Sequence, residues 1–379
     1  MIIQKFILSV FLCVGLIISN NIRAQDNAIE SGFISMFNGS DLSGWITVGT
    51  PGSFTVKENA IYTTGAHPYP SWLRMEKEYE NFVLRFSYKT AGWYEGGVLI
   101  HAPQYGTGAK IGFKLHLRHD QHALGVRSPG AIYDVAAPDT LANFPAGKWN
   151  RCEITCNWPV LQVKINGVVI HDIDMSKNEK LKYRMRKGYI GIQNICNSGA
   201  YYKDIQIRPL PDKDKWTDIF ESGIHGLKLT GKSQWIIQGK TLTANGNNAI
   251  AYTKKEYSGP FEMQVWVKNM VNGNGGIIFS NKVEEKENSV EIQCFNVEGS
   301  TNPTGSIYGI APATRLVSRD MEWYLLQIFS SDKSVKVFVN GEKVAETDNL
   351  KNPLGGKIGF QQHTPNGYIQ YRGARIRKL

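Results

Sequence analysis

The sequence predicts an all-β protein made of two tandem β-sandwich domains. Three observations support this prediction: short segments in which apolar and polar residues alternate, turns rich in glycine and asparagine between these segments, and repetition of both features in the two halves of the chain. A length of 379 residues suits two domains of average size better than one core. An apolar fraction of 42% and a charged fraction of 20% are typical of a globular protein.

The internal repeat covers most of the chain. Three pairs of matching segments illustrate it: "EGGVLIH" (95–101) with "NGGIIFS" (274–280), "GYIGIQ" (188–193) with "GKIGFQ" (356–361), and "SPGAIYDVAAP" (128–138) with "PTGSIYGIAP" (303–312). Because the order is kept and the spacings nearly so, we predict a tandem duplication with domains at 32–210 and 214–379. "RPLPDKDK" (208–215) is predicted as the linker, since two prolines and alternating charges suit neither helix nor strand.

Each half is predicted to consist of antiparallel strands. The segments "VLRFSY", "MQVWV", "LQVKI" and "VKVFV" alternate apolar and polar residues, as half-buried strands do. The Asn166-Gly167 and Asn340-Gly341 pairs lie between such segments and predict tight hairpin turns. Many short strands with such turns indicate a sandwich or jelly roll. Only "MSKNEKLKYRM" (175–185) suggests a helix or a charged loop.

The first 24 residues have the pattern of a secretory signal peptide. Lys5 precedes an apolar run from Phe6 to Ser19, and Ala24 offers a small residue for cleavage. The apolar run is too short for a membrane span. We therefore expect a soluble exported protein, located in the periplasm or at the cell surface, without stable insertion into a membrane.

The charge pattern argues against a nucleic-acid partner. The formal net charge is +10, but apart from the basic end "YRGARIRKL" the surplus is spread along the chain. A dispersed surplus is typical of solubility, whereas nucleic-acid binding requires a basic patch. The sequence leaves the oligomeric state open.

Four cysteines follow the leader: Cys152, Cys156, Cys196 and Cys294. Cys152 and Cys156 are four residues apart on a predicted strand, so their Cα atoms should lie about 13 Å apart, too far for a disulfide bond. A bridge from either one to Cys196 stays open beside the alternative of buried free thiols. No zinc-binding spacing is present.

In the first half, "KIGFKLHLRHD" (110–120) separates into two sets with a period of two. The apolar set is expected to face the core: Ile111, Phe113, Leu115 and Leu117. The polar set is expected to point away from it: Lys114, His116, Arg118 and Asp120. Several cationic groups on one strand face favour an anionic or polar ligand, which makes Lys114, His116 and Arg118 candidate substrate-binding residues. A solvated outer surface is the alternative.

The same segment contains the best candidates for metal ligands. His101, His116 and Asp120 are the residues that we would select, and His119 and His122 lie close in sequence. Imidazole and carboxylate groups are common ligands of divalent metals. The sequence requires no cofactor, and a divalent metal ion is the one cofactor that it makes plausible.

In the second half, "SVEIQCFN" (289–296) is predicted to present Glu291 and Gln293 on its outer face. A carboxylate beside a carboxamide suits the hydroxyl groups of a sugar. Gln361 and His363 are expected just past a strand end, where His363 could act as a general base. Tyr133 and Tyr308 each follow a glycine turn and are either packing residues or hydroxyls that face a ligand.

The chain lacks the sequence motifs of several enzyme classes. The chain has no phosphate-binding glycine loop, no G-x-S-x-G elbow and no H-E-x-x-H pair. Paired carboxylates for ordinary glycoside hydrolysis are not identifiable from the sequence.

The segment "FNGSDLSGW" (37–45) and the order of the motifs that follow it resemble the 3-keto-disaccharide hydrolase domain family, formerly called domain of unknown function 1080. The resemblance covers nearly all of the chain after the leader, twice. It implies a concanavalin A-like β-sandwich, and the family is common in exported proteins of Bacteroidetes.

The second copy follows the family's site pattern more closely. It has the matching residues Asn274, Glu291, Gln293, Tyr308, Gln361 and His363. The first copy departs from the pattern, with Glu95 in place of the asparagine, Lys114 and His116 in place of the glutamate and glutamine, and Ile195 in place of the histidine. The resemblance therefore places the candidate site in the second copy.

The resemblance implies cleavage of glycosides whose sugar carries a ketone at C3. A C3 ketone acidifies the C2 proton, so one base suffices to remove it and the aglycone leaves from C1. The candidate base is Glu291 or His363, with Asn274, Gln293 and Tyr308 holding the keto-sugar. The alternative hypothesis is a non-catalytic carbohydrate-binding protein. The glycoside, and whether the two copies share one cleft, are left open.

Overall fold

The computed structural model describes residues 30–65, 70–106, 108–120, 124–195, 199–280 and 289–379. Within them, antiparallel strands form four sheets that are arranged in two pairs. The predicted all-β fold with two tandem β-sandwiches is confirmed. The predicted signal peptide, Cys196 and His122 lie outside the described residues.

The first sandwich contains strands β1 to β13 and one short helix. These are β1 (Ile34–Ser35), β2 (Trp45–Val48), β3 (Phe54–Lys57), β4 (Ala60–Thr63), β5 (Ser71–Tyr79), β6 (Asn81–Thr90), β7 (Glu95–Ala102), α1 (Gly108–Ile111), β8 (Phe113–Arg118), β9 (Asn150–Asn157), β10 (Val160–Ile165), β11 (Val168–Asp174), β12 (Gly188–Asn194) and β13 (Ala200–Leu210).

The second sandwich contains strands β14 to β26 and a 3₁₀ turn at Gly223–Gly226. The strands are β14 (Thr217–Asp218), β15 (Leu227–Gly231), β16 (Gln234–Gln238), β17 (Thr241–Gly246), β18 (Ala249–Thr253), β19 (Phe261–Asn269), β20 (Asn274–Ser280), β21 (Ser289–Phe295), β22 (Tyr324–Ser331), β23 (Ser334–Val339), β24 (Glu342–Thr347), β25 (Lys357–Gln362) and β26 (Gly367–Lys378).

The two sandwiches have the same topology. Each has an eight-stranded sheet, in which seven strands follow the order β11-β10-β9-β6-β13-β4-β3 in the first sandwich and the matching order β24-β23-β22-β19-β26-β17-β16 in the second. The eighth strand is β1, which pairs with β13, or its counterpart β14, which pairs with β26. Each also has a five-stranded sheet, ordered β2-β5-β12-β7-β8 and β15-β18-β25-β20-β21. Every strand of the second sandwich thus has a counterpart thirteen strands earlier, as expected for a tandem duplication.

The predicted hairpin turns are present in both copies. Asn166 and Gly167 have φ angles of 50° and 84°, and Asn340 and Gly341 have 52° and 79°. Two successive left-handed residues form the turn that fits the right-handed twist of a hairpin, and Asn-Gly is the pair that adopts it most readily. Each Asn Oδ1 also accepts a backbone N–H from the neighbouring strand, so the turn residue fixes two strands at once.

Each sandwich has its own hydrophobic core between its two sheets. Phe82, Leu84 and Ile154 of the large sheet pack against residues of the small sheet in the first core, and Val265, Ile277 and Phe360 belong to the second. Inward-facing residues alternate with outward-facing ones along the strands, which leaves one face of each five-stranded sheet free for polar side chains.

Gly32–Leu379 form one compact unit, within which the two sandwiches contact each other. A small apolar cluster joins Ile111 and Met185 of the first sandwich to Leu325 of the second. Nearby, the Arg377 side chain contacts Glu262 at 2.6 Å and Asp214 at 3.1 Å. No helix in the described part of the chain is long and apolar enough to cross a membrane.

Two sequence predictions about secondary structure in the first half of the chain and the linker were wrong. Segment 110–120 is not one strand, because residues 108–111 form α1 and β8 begins at Phe113. A Cβ atom at Gly112 would lie 2.4 Å from the Ile100 carbonyl oxygen, so the chain bends at this close approach. Ile111 consequently packs in the cluster between the sandwiches, not in the core of the first.

The predicted linker also begins later than expected. Residues 208–210 continue β13 and pair with β6, with Pro209 opposite Phe82. The other neighbour of β13 at this end is strand β1, which begins with Ile34 opposite Ile207. The pairing with β1 therefore does not reach Pro209, and the missing N–H of this proline interrupts no second strand pairing. Residues 175–185 form turns without a helix, which is the charged-loop alternative.

The described cysteines are free thiols. Cys152, Cys156 and Cys294 are buried and form no disulfide bond. Burial raises the pKa of the Cys156 and Cys294 thiols to about 12 and that of Cys152 well above its usual value. These thiols therefore behave as small apolar core residues.

Candidate functional site

The repeated motif extends the small sheet of each sandwich. The Tyr308 N–H donates to the Glu291 carbonyl at 2.9 Å, and the Gln293 N–H donates to Ser306 at the same distance. In the first copy the Tyr133 N–H donates to Lys114 at 2.9 Å. The motif is therefore scaffold that pairs with the edge strand, and it brings one tyrosine beside the outer face, meaning the face of the five-stranded sheet that points away from the core.

Glu291 extends from the edge strand β21 over the adjacent strand β20 on the second sandwich's outer face. A Cβ atom at Gly276 would lie 2.4 Å from its Oε1 atom and 2.9 Å from its Cγ atom, so the side chain rests directly on this glycine. Glu291 is half-buried. Gly276 thus provides the space that allows a carboxylate to lie flat on the sheet.

Gln293 fixes the position of this carboxylate. It is only 4% exposed, and its amide nitrogen donates to Glu291 Oε1 at 3.1 Å and to the Gly275 carbonyl at 3.2 Å. The amide orientation follows from this hydrogen-bonding network. One donor held between two acceptors leaves the carboxylate little freedom to turn.

Two further carboxamides surround Glu291. Gln361 is opposite Gly276 on β25, and Asn274 lies two residues before Gly276 on β20. The side-chain oxygens of Asn274 and Gln361 are buried and receive no hydrogen bond from the described residues. A buried acceptor without a donor costs free energy of folding, so these two oxygens can accept hydrogen bonds from the hydroxyl groups of a ligand.

Aromatic and histidine side chains flank these residues. The Tyr252 ring lies over Gly359, and burial raises its pKa, with a smaller contribution from the Glu291 charge. Tyr308 is 54% exposed beside Glu291. His363 is exposed just past β25, and its backbone N–H donates to Asn274 at 2.9 Å.

The structure thus brings together all six candidates of the second copy. Glu291, Gln293, Asn274 and Gln361 share one face, with Tyr308 and His363 at its margin. The prediction placed Gln361 past a strand end, but it belongs to β25. The arrangement provides one carboxylate that can accept a proton and several hydrogen-bonding groups around it, with no second carboxylate among the residues named.

The equivalent face of the first sandwich carries different chemistry. Register places Lys114 at the position of Glu291 and His116 at that of Gln293. Neither is solvated, since Lys114 is 2% and His116 0% exposed. The Lys114 ammonium lies 3.9 Å from the centre of the Tyr133 ring, and His116 Nε2 lies 3.3 Å from Glu95 Oε1.

Burial lowers the pKa values of both Lys114 and His116. It lowers the Lys114 pKa to about 8, with Glu95 acting in the opposite direction. Burial, and then the positive charges of Lys114 and Arg118, lower the His116 pKa to about 3. His116 is therefore neutral at physiological pH, and Arg118 is held by Asp120 at 2.7 Å.

The candidate metal ligands are not assembled. His101 lies on the core side, between Phe82 and Phe113, and its Nε2 atom is 2.7 Å from the Glu80 carbonyl. Burial lowers its pKa to about 4. Over the described ranges no three His, Cys, Asp or Glu side chains are grouped as a metal site, so His101, His116 and Asp120 do not form one.

Sequence reasoning missed three residues of these faces. They are Tyr252 in the second sandwich and Trp72 and Gln193 in the first. Gln193 was detectable, because "GYIGIQ" aligns it with Gln361. Trp72 and Tyr252 carried no such signal, since only the pairing of β5 with β12 and of β18 with β25 places them there.

Comparison with protein families gives one match, which occurs twice. The model of the 3-keto-alpha-glucoside-1,2-lyase-like domain matches residues 32–208 and 214–377. The two matches correspond to the two sandwiches. No curated protein sequence matches the chain.

Solved structures with a similar fold cover about half of the chain. A candidate glycosyl hydrolase from Parabacteroides distasonis has 20% identity and a TM-score of 0.42, over 48% of this chain and 94% of that one. The carbohydrate-binding module CBM66 from Bacillus subtilis has 12% identity and a TM-score of 0.34, over 46% of this chain and 99% of that one.

Proposed function

We propose, from the premise that the chain belongs to the 3-keto-alpha-glucoside-1,2-lyase-like domain family, that its second sandwich cleaves 3-keto-glycosides by elimination. The family makes this a carbohydrate-active protein. The reaction, the substrate class and the roles of individual residues are our proposal, which the geometry around Glu291 supports.

The first step is removal of the C2 proton. The Glu291 carboxylate accepts this proton, which the neighbouring C3 ketone has made acidic, and the electron pair moves into an enolate. The C1–O bond then breaks and the aglycone oxygen takes a proton from water or from His363 at the margin of the face. The sugar is left with a C1–C2 double bond conjugated to the ketone.

The second step is addition of water. While the aglycone leaves, the Glu291 carboxyl exchanges the abstracted proton with solvent water. The oxygen of a water molecule then bonds to C1 and gives its second proton to the group that protonated the aglycone, either His363 or the hydroxide left by water. Glu291 gives a proton to C2, which regenerates the carboxylate and yields the free 3-keto-sugar. Asn274, Gln361 and Tyr308 would hold the sugar hydroxyls, and Gln293 keeps the carboxylate oriented. One base therefore serves both steps, which explains how the reaction proceeds without a pair of catalytic carboxylates.

One observation carries the proposal. Glu291 rests on Gly276, fixed by Gln293, beside two carboxamide oxygens that receive no hydrogen bond from the described residues. Proton abstraction from a bound sugar requires a base that is held in place beside hydrogen-bond acceptors for the sugar hydroxyl groups, and this arrangement has both. Because the described residues do not fit a metal site, no step passes through a metal ion.

A second candidate function is carbohydrate binding without cleavage. The observation that favours it is Lys114, which occupies the Glu291 position of the first sandwich. That sandwich has no carboxylate there to act as the base. We also propose that residues 1–24 direct export to the periplasm or cell surface and that the domains extend over 32–210 and 214–379.

Release of a chromophoric aglycone from a 3-keto-glucoside tests the proposal. The purified protein should cleave the keto-glucoside and leave the plain glucoside intact. The rate is measured with and without EDTA, which distinguishes metal-free from metal-assisted cleavage. Glu291→Gln should lower the rate about 1000-fold, as expected for loss of a general base. Lys114→Gln is the matched control in the first sandwich and should keep the rate. Equal cleavage by the Glu291→Gln protein would contradict the role of this carboxylate.

A further inference from the structure

The outer face of the first sandwich carries aromatic side chains that the second sandwich lacks. Trp72 corresponds to Ile250, because Trp72 pairs with Gln193 and Ile250 pairs with Gln361. Trp93, two residues before Glu95, corresponds to Asn272 by the alignment of the repeats, and 54% of its surface is exposed. The two copies have therefore diverged in more than their central polar residues.

The Trp72 indole reaches across this face and is partly exposed. A Cβ atom at Gly191 would lie 2.7 Å from the Trp72 Cε3 atom, so the indole lies over this glycine, on the opposite side of β5 from buried Leu73. Partly exposed aromatic rings can stack on pyranose rings, because the faces of a pyranose ring carry C–H groups while its hydroxyl groups lie around the edge.

Gln193 lies beside Trp72 in a row that crosses the sheet and ends at the buried His116. Trp72, Gln193, Gly97 and His116 are successive cross-strand neighbours on β5, β12, β7 and β8. The Gln193 side-chain oxygen is buried and receives no hydrogen bond from any described residue. With β2 at the other edge, the five strands span about 19 Å, which is long enough for more than one sugar ring.

The face opens into a cleft between the two sandwiches. This cleft has a volume of about 560 Å³, and Trp72 is one of its lining residues. Tyr105 and Lys110 of the first sandwich also line it, with Glu322 and Asn340 of the second. Charged and carboxamide groups beside aromatic rings are the mixture with which proteins bind hydroxyl-rich ligands.

We propose that the outer face of the first sandwich and the adjoining cleft form a separate, non-catalytic binding site for a glycan chain of several pyranose units. Trp72 and Trp93 provide stacking surfaces, and Gln193 provides a hydrogen-bond acceptor. Lys114 replaces the base of the second sandwich, so this face binds sugar without removing a proton. The site goes beyond the proposed lyase activity and does not depend on it.

Affinity gel electrophoresis tests the site with four probes: soluble starch, xylan, dextran and mixed-linkage β-glucan. The full chain should be retarded by at least one of them. Trp72→Ala and Trp93→Ala should each weaken that retardation about tenfold, because each removes one stacking surface. Trp93 is largely exposed, so its removal should not disturb folding, and Trp72→Phe should keep part of the affinity.

Two further variants separate this site from the proposed catalytic site. Glu291→Gln should keep glycan binding, since it alters only the second sandwich. Ile236→Ala removes an exposed apolar side chain of strand β16 and should also keep it. The proposal is overturned if none of the four polysaccharides retards the protein, or if retardation is lost in Glu291→Gln and kept in both tryptophan variants. Neither result would depend on whether keto-glucosides are cleaved.

Discussion

Replacing Gly276 by alanine should impair catalysis through Glu291 alone. The new methyl group would lie 2.4 Å from Glu291 Oε1, whereas ordinary contacts begin at 3.4 Å. The carboxylate must therefore move by about 1 Å. Displacement of a catalytic group by this distance can lower a rate about 100-fold, so kcat should fall by about this factor.

The fold should tolerate this substitution. Gly276 does not have a left-handed φ angle, and the three nearest atoms all belong to the Glu291 side chain, which can move. The midpoint of thermal unfolding should therefore change little. Gly125→Ala is the matched control, since no atom lies within 4 Å of its Cβ position, and it should change neither the rate nor the stability.

The assay is the initial rate of aglycone release, measured also in the Glu291→Gln background. If the methyl group acts by displacing the carboxylate, adding Gly276→Ala to Glu291→Gln should cause little further loss, because two changes that act through the same group are not additive. A full additional 100-fold loss in the double variant would refute the reasoning. It would show that the methyl group obstructs the sugar directly.

Three further changes have predictable effects on unfolding by urea. The His101 pKa of about 4 lies below the unfolded value of 6.5, so between these pH values the unfolded chain binds a proton at His101 and the folded chain does not. The free energy of unfolding should therefore fall by about 3 kcal/mol between pH 6.5 and 4, and by less in His101→Gln. Glu262→Ala leaves the buried Arg377 short of a partner and should cost about 3 kcal/mol, with Glu262→Gln costing less. Gly167→Ala introduces a side chain at φ 84° with free space around it and should cost about 1 kcal/mol from backbone strain alone; an unchanged stability would contradict this cause.

The parts of the fold that depend on local sequence could be predicted. The Asn166-Gly167 and Asn340-Gly341 turns were predictable, because few other pairs accept two left-handed residues in succession. The strands followed from alternation of apolar and polar residues, and the internal repeat gave the number of domains. The outer-face position of Glu291 and Gln293 likewise follows from the period of two along β21.

The parts that depend on distant contacts could not be predicted. Ile111 fits the alternation of β8, but it belongs to α1 because it packs against Met185 and Leu325. The burial of Lys114 and His116 depends on Tyr133, which only the pairing of the repeated motif with β8 brings over them. Trp72 joins the outer face through the pairing of β5 with β12, which no local pattern reveals.

The measurement that tests the central claim most directly is isotope incorporation during cleavage of a 3-keto-glucoside in D₂O, followed by NMR. The proton that Glu291 removes exchanges with solvent before C2 is reprotonated, so the released 3-keto-sugar should carry deuterium at C2, above the exchange seen without protein. In Glu291→Gln both cleavage and incorporation should be lost together. Cleavage by the intact protein with hydrogen fully retained at C2 would show that the C1–O bond breaks by another route.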